Sequence, residues 1–196
     1  MSTTHDDSPI AARVRHVEAL LEQRGVVAPG AIDRRIDENA AGGSLAQGAR
    51  IVARAWVDPG FRDRLLHDGN AAIGELGLSM AGGIQDQRLE VLANEDSDHH
   101  VVVCTLCSCY PVALLGPSPS WYKSEAYRSR VVRDPRGVLA EFGLTLPDAT
   151  RITVWDASAE TRYMVLPQRP TGTDDLDEPA LAALVTRKGL IGTAAV

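Results

Sequence analysis

The sequence has 196 residues, 44% apolar and 23% charged, with a formal net charge of -6. This length supports one sizeable hydrophobic core, and the composition is that of an ordinary globular protein. Basic residues are spread along the chain, which excludes the clustered positive charge typical of nucleic-acid binding. No apolar stretch approaches the ~20 residues of a membrane span, and the polar start MSTTHDDSPIAARVRH lacks a signal peptide's apolar core. We therefore expect a cytoplasmic protein.

The first predicted elements are helices that form an N-terminal arm. Apolar residues recur at helical spacing at Ile10, Val14, Val17, Leu20 and Leu21. Gly25 is suited to end this helix, and Ala31–Asn39 is a second helical segment. The glycine-rich stretch Ala40–Gly48 predicts a hinge, so we divide the chain into an arm, 1–44, and a compact domain, 45–196. The arm's apolar stripe either folds back on the domain or embraces another chain.

Helices continue beyond the hinge, and strands follow them. Three helices are predicted, over Ala46–Val57, from Asp58-Pro59 to Gly69, and over Ala71–Leu76. Strands are predicted at Leu89–Leu92 and His100–Val103, and the pair Ile152–Trp155 and Arg162–Leu166 flanks a turn as in a hairpin. A last helix, Ala180–Arg187, and a closing strand, Leu190–Val196, complete the chain. Helices first and strands later indicate the α+β class.

The three cysteines of the chain, Cys104, Cys107 and Cys109, fall within six residues in the segment VCTLCSCYP. An odd, clustered set does not form a disulfide framework, and in a reducing cytosol it favours metal binding or redox chemistry. A tight loop after the Val101–Val103 run can turn all three thiolates inward around one ion. Thiolates select soft or borderline metals such as zinc, iron, cobalt or copper.

Three interpretations of the cysteine cluster remain open at this point. A structural zinc site needs a fourth ligand, for which His99 or His100 is available, although the spacing is unusual. Three inert buried cysteines are a second interpretation. In the third, the amide nitrogens between Cys107 and Cys109 complete a square plane with their sulfurs, and Cys104 binds on the axis. Such a site implies a trivalent ion with one open position, which acts as a Lewis acid towards water or substrate.

Several long segments of this sequence resemble the alpha subunit of nitrile hydratase. The most specific is VCTLCSCYP, which is similar to that family's metal motif. Further similar segments are ARIVARAWVDPGFRDRLL at 49–66, SWYK at 120–123 with the following EAYRSRVVRDPRGVL, and WDASAETRYMVLPQRPTGT at 155–173. The resemblance implies a helical arm followed by a layered α/β domain, and hydration of a nitrile to an amide.

The resemblance also implies a ligand set and a cofactor. Cys104, Cys107 and Cys109 bind the metal through sulfur, and Ser108 and Cys109 bind it through their main-chain nitrogens. Cys107 is expected as sulfinic acid and Cys109 as sulfenic acid, and Cys107, Ser108 and Cys109 are the candidate catalytic residues. The metal is Co(III) or Fe(III), and Thr105 matches the cobalt form. The alternatives are the metal-carrying subunit of thiocyanate hydrolase and a non-catalytic metal-binding protein.

Oxidised sulfurs and amide anions concentrate negative charge that needs cationic or hydrogen-bonding partners. No Arg or Lys lies between Arg88 and Pro119, so the partners come from a distant segment or another chain. The family implies a beta subunit that supplies arginines, and a metallochaperone or activator is a further candidate partner. The resemblance implies that Asp156, Glu160 and Arg162 form hydrogen bonds around the metal loop, whereas the segment WDASAETRY taken alone indicates a solvated turn. Tyr110 and Ser108 are expected to touch the substrate or a water channel. Trp121 and Tyr122 are expected in the core or an interface. Arg128, Arg130 and Arg133 are candidates to pair with the partner chain, although surface solvation is the simpler expectation.

The chain departs from the family pattern directly after the cysteines. Many cobalt members carry Trp and Pro where this chain has Val112 and Ala113. Either the core is repacked without consequence, or position 112 lines the substrate pocket and the pocket is larger. The second interpretation predicts a preference for bulky, heteroaromatic nitriles, of which a nucleoside-like nitrile of the toyocamycin kind is one candidate.

Overall fold

The computed structural model describes residues 9–80 and 87–196, without the side chains of residues 37–42. The chain divides into two compact units, residues 1–40 and 41–196, and this division lies within the predicted glycine-rich stretch. None of the helices in the described residues is long and apolar enough to cross a membrane.

The first unit contains two helices, α1 (Pro9–Gln23) and most of α2 (Ala31–Gly42). Gly25 takes a φ of 68°, the left-handed conformation predicted for the residue that ends α1. No residue of α1 is buried. In its apolar stripe, Ile10, Val14 and Val17 are exposed, and Leu20 and Leu21 are half-buried.

The second unit begins with three helices, α3 (Leu45–Val57), α4 (Pro59–His67) and α5 (Gly69–Glu75). Two predictions on this segment are wrong. Gly48 is not part of a hinge, because it is buried inside α3, where a Cβ would lie 2.4 Å from Leu115 Cδ2. Gly69 does not end a helix but begins α5, since the Asp68 carboxylate caps that helix by accepting from Ala71 N at 3.0 Å.

Four strands in the described residues form two parallel pairs. Strand β1 (Arg88–Ala93) pairs with β4 (Thr161–Leu166), and β2 (Asp98–Val103) pairs with β3 (Arg151–Asp156). The predicted hairpin is therefore wrong, although both of its strands exist. Alternating apolar residues mark a strand but do not identify its partner, and here β3 and β4 each join a strand from earlier in the chain.

Short helices make up the rest of the second unit. They are α6 (Val112–Leu115), a 3₁₀ helix (Ser120–Lys123), α7 (Glu125–Val131), α8 (Pro135–Glu141), α9 (Glu178–Leu184) and α10 (Arg187–Ile191). The predicted last helix is split because Thr186 caps α10, accepting from Gly189 N at 3.0 Å. The predicted closing strand is wrong, since its first residues belong to α10 and Gly192, with a φ of 86°, ends that helix. The α+β prediction is confirmed.

The core of the second unit contains residues from both sides of the cysteine segment. Ile51 of α3, Val103 of β2, Leu114 of α6 and Tyr122 of the 3₁₀ helix are all fully buried in it. Gly43 allows α6 to pack closely against the backbone before α3, because a Cβ at this position would lie 2.0 Å from the Val112 carbonyl oxygen. Only glycine allows this close approach, which anchors the helix that follows the cysteines.

Candidate metal centre

The cysteine segment leaves the carboxyl end of β2 and turns beside the carboxyl end of β3. Parallel pairing places Val103 opposite Asp156, and Ala157 N donates to Val103 O at 2.7 Å. The Asp156 carboxylate then binds the next part of the loop, accepting from Thr105 N at 2.9 Å and from Thr105 Oγ1 at 2.5 Å. The sheet register therefore holds the start of the segment Cys104–Cys109, here called the claw loop.

The claw loop brings its three sulfurs together. Cys104 Sγ and Cys107 Sγ are 3.2 Å apart, as are Cys107 Sγ and Cys109 Sγ, and all three lie within 4.8 Å of one another. Cys104 is buried, Cys109 half-buried and Cys107 exposed. Cys107 N also donates to Cys104 Sγ at 3.3 Å, so the loop curls around the buried sulfur. The sequence prediction of three inward-turned sulfurs is confirmed.

The electrostatics of the three sulfurs fit a bound cation. Hydrogen bonds, first with Cys109 and then with Cys104, lower the pKa of Cys107 to about 7. Burial, followed by the hydrogen bond with Cys107, raises the pKa of Cys109 to about 12. A second thiolate beside the first is therefore unfavourable without positive charge between them. A thiophilic metal cation supplies that charge, and three convergent sulfurs are a donor set that suits it.

Among the described residues, no histidine joins the three cysteine sulfurs as a fourth, zinc-type ligand. His99 is buried, with Nε2 against Gly192 O at 2.7 Å and Nδ1 against Asn94 Nδ2 at 3.1 Å. His100 Nδ1 accepts from Trp155 Nε1 at 3.0 Å. Within the described residues, the group of side chains able to hold a metal at the claw loop consists of the cysteines alone.

The other predicted loop partners, Glu160 and Arg162, have different surroundings. The guanidinium of Arg162 donates to the carbonyls of Ser158 and Ala159, and its positive charge lowers the pKa of Cys109 against the stronger effect of burial. The carboxylate of Glu160 accepts from Ser158 Oγ at 3.0 Å, in the turn between β3 and β4. The charge of Arg162 therefore acts on a claw sulfur, whereas a role for Glu160 at the loop stays a prediction.

The residues that follow the claw loop differ in their exposure. Tyr110 is only 4% exposed, burial raises its pKa to about 12, and its hydroxyl has no hydrogen-bond partner in the described part of the chain. Val112, at the start of α6, is 38% exposed, and Ala113 is half-buried. Of these three, Val112 is the most accessible to a substrate, and contact between any of them and a substrate stays a prediction.

The sequence did not indicate which side chains donate hydrogen bonds to the carbonyl oxygens of the claw loop. Tyr122 is buried, as expected, and its hydroxyl donates to Cys109 O at 2.9 Å. Arg128, expected in solvent, donates from Nη1 to Cys107 O at 2.9 Å. Arg130 instead pairs with Glu141 at 2.6 Å, and Arg133 donates to Ser129 O. Only the fold reveals which arginine of α7 turns towards the loop.

The sequence matches one protein family over almost its whole length. The family described as nitrile hydratase, alpha chain, matches residues 8–194. The alpha subunit of a low-molecular weight cobalt-containing nitrile hydratase from Rhodococcus rhodochrous is 55% identical over 185 residues, which cover 93% of this chain and 87% of the relative. This chain belongs to the nitrile hydratase alpha subunit family. The resemblance inferred from its motifs is confirmed.

Solved structures of both candidate enzymes share this fold, and a recombinant thiocyanate hydrolase with partially modified cobalt centres matches with a TM-score of 0.90 and 42% identity, over 96% of this chain and 90% of that one. A double mutant of the Fe-type nitrile hydratase from Comamonas testosteroni Ni1 matches with a TM-score of 0.89 and 40% identity, over 97% of this chain and 92% of that one. The gamma subunit of thiocyanate hydrolase from Thiobacillus thioparus is 49% identical over 154 residues, which cover 74% of this chain and 63% of that subunit. In the sequence comparison the thiocyanate hydrolase subunit is the more distant relative, because its match has lower identity and covers less of both chains.

Proposed function

We propose that this chain is the metal-carrying subunit of a cobalt nitrile hydratase, which converts R-C≡N and water into R-CONH2. The observation that carries the proposal is the convergence of three cysteine sulfurs within 4.8 Å, in a chain 55% identical to a cobalt-containing alpha subunit. Thr105, which matches the cobalt form, is held through both its amide and its hydroxyl by Asp156. Such a subunit is a hydro-lyase component and acts with a beta subunit.

The claw loop offers five donor atoms to cobalt. They are the sulfurs of Cys104, Cys107 and Cys109 and the main-chain nitrogens of Ser108 and Cys109. Cobalt bound to this set supplies a Lewis-acid position for the nitrile or water. Cys109, as sulfenate, would bring an oxygen that either accepts a proton from the attacking water or itself attacks the nitrile carbon, in which case water then releases the amide and restores the sulfenate. The positive charge of Arg162, which lowers the pKa of the Cys109 thiol, would also stabilise this anion.

The exposure of the claw loop supports a beta subunit as partner. Leu106, at its tip, is 92% exposed, and Cys107 and Ser108 are exposed beside it. Electrostatic catalysis is strongest in a site from which water is excluded, so this face requires cover. Charge alone does not require arginines from another chain, because Arg128 and Arg162 of this chain already act on the loop. An activator protein that delivers cobalt is a further proposed partner.

The function is tested by co-expressing the chain with its beta subunit in cobalt medium and measuring amide formation by chromatography. We expect amide from nitriles, with none formed by either subunit alone. Thiocyanate serves as the competing substrate, since its hydrolysis identifies the alternative enzyme. A cobalt-loaded complex that hydrates no nitrile, small or bulky, contradicts the proposal.

We further propose that Val112 makes the substrate pocket larger than in members with Trp at this position. Val112→Trp is expected to reduce kcat/KM for an aromatic nitrile and to change kcat/KM for acetonitrile little. The reduction should exceed roughly 10–200-fold, which is the discrimination that one or two methylene groups in a pocket produce. The indole would fill the volume that a substrate ring requires. Relative kcat/KM values for the two nitriles measure this effect.

Val132→Trp is a suitable control, because it introduces the same side chain at an exposed valine after α7. It is expected to leave the preference for large over small nitriles unchanged. If Val112→Trp also leaves that preference unchanged, residue 112 does not line the pocket and the exchange is simple repacking.

A further inference from the structure

One short segment, residues 122–128, supplies side-chain donors to four carbonyl oxygens in and beside the claw loop. Tyr127 Oη donates to Val102 O at 2.8 Å, just before the loop, and Tyr122 Oη donates to Cys109 O at 2.9 Å, at its end. Between them, Arg128 Nη1 donates to Cys107 O at 2.9 Å and to Thr105 O at 3.5 Å. The loop is thus bound at its beginning, middle and end by residues 122–128.

Arg128 differs from the two tyrosines in carrying a positive charge. Among the described residues it forms no ion pair with a carboxylate, and its buried Nε has no hydrogen-bond partner. The neighbouring Arg130 is a contrast, since both of its terminal nitrogens bind the Glu141 carboxylate. The positive charge of Arg128 is therefore directed at the backbone of the claw loop.

The carbonyl that Arg128 binds belongs to the peptide group between Cys107 and Ser108. Resonance couples the oxygen and the nitrogen of a peptide group, so electron density at the nitrogen is shared with the oxygen. The nitrogen of this group is Ser108 N, which is one of the donors proposed for cobalt. A guanidinium on the Cys107 oxygen both fixes the plane of the peptide and stabilises negative charge delocalised onto that oxygen.

We propose that Arg128 is a positioning residue that orients the Cys107–Ser108 peptide for metal binding and balances its charge. This inference rests on the proposed cobalt site. Arg128 acts through the backbone and does not touch substrate. A hydrogen bond from a charged donor contributes enough to change an equilibrium roughly tenfold or more. Loss of the guanidinium is therefore expected to loosen the loop and speed the release of cobalt by about that factor.

The test compares Arg128→Gln and Arg128→Lys with the matched control Arg130→Gln, each in the complex with the beta subunit. Hydrogen exchange of residues 104–110 is measured on cobalt-free complex. Cobalt release to a chelator and the sulfur-to-cobalt charge-transfer absorption are measured on loaded complex. In Arg128→Gln, hydrogen exchange of residues 104–110 and release of cobalt are each expected to be roughly tenfold faster than in wild type. The charge-transfer band is expected to shift, and kcat to fall at unchanged KM. Arg128→Lys, which keeps the charge but not the planar fork, is expected to lie between wild type and Arg128→Gln.

Two results overturn the inference. One is that Arg128→Gln matches Arg130→Gln in exchange, cobalt release and absorption. The other is that its exchange rises equally in β1 and β4, which indicates general destabilisation. If the wild-type complex binds no cobalt, the proposed function fails. Hydrogen exchange of the claw loop, measured on cobalt-free complex, still decides the role of Arg128. If Arg128→Gln does not fold, Arg128→Lys carries the same comparison.

Discussion

Replacing Cys104 by serine is expected to abolish both cobalt binding and nitrile hydration. Cys104 is the buried cysteine of the claw loop. Its sulfur lies 3.2 Å from that of Cys107 and accepts a hydrogen bond from Cys107 N at 3.3 Å. A hydroxyl is a poor ligand for a metal that prefers thiolates, and it cannot replace the charge of the sulfur. Activity should fall by more than roughly 100-fold, the upper end for residues that only support a metal site.

Elemental analysis and an amide assay on the purified complex measure this effect. Because Cys104 is buried, loss of function can also arise from misfolding, and the melting temperature of the cobalt-free variant controls for this. Cys107→Ser is the second variant, since Cys107 is exposed and its exchange leaves the core intact. Stoichiometric cobalt and full activity in either variant would show that the three sulfurs are not the ligands.

The second large effect is expected for Asp156→Asn. Its two carboxylate oxygens accept from the amide and the hydroxyl of Thr105, which directly follows Cys104. An asparagine side chain has one acceptor oxygen and turns a donor towards the other position. The loop is then less well held, and cobalt affinity or kcat should fall by roughly 10–100-fold. Chelator competition and steady-state kinetics measure the two quantities.

Asp98→Asn is the matched control, because Asp98 pairs with Arg151 at the opposite end of the same two strands. It removes one negative charge without touching the claw loop, and it should change cobalt affinity little. Thr105→Val, combined with Asp156→Asn, should cost less than the sum of the two single changes, since both remove one interaction. Fully additive effects would show that Asp156 acts by another route.

The claw loop itself was predictable because its chemistry is local. The spacing of Cys104, Cys107 and Cys109 left few physical alternatives, and the long motif identified the family. A contact of Asp156 with the metal loop was also expected from the sequence, but Asp156 was placed in a hairpin turn that the structure does not contain. The parallel register of Val103 with Asp156 places it beside the loop, and strand pairing across some 50 residues is not encoded in local alternation.

Arg128 could not be assigned from the sequence. Helix α7 carries both Arg128 and Arg130, and residues two apart in a helix point in different directions. Which of them meets the claw loop depends on how α7 packs, and that packing involves aromatic contacts such as Trp121 with Tyr127, whose ring centroids are 5.0 Å apart. Tertiary packing of this kind has no signature in residue spacing.

Native mass spectrometry of the purified complex tests whether three cysteines of this chain form an oxidised cobalt site. We expect each alpha chain to carry one cobalt ion, together with the oxygen atoms of one sulfinic group, on Cys107, and one sulfenic group, on Cys109. Fragmentation of the same ion assigns the oxygens, with Cys104 unmodified. An active complex that contains zinc in place of cobalt, or three plain thiols, would contradict this expectation.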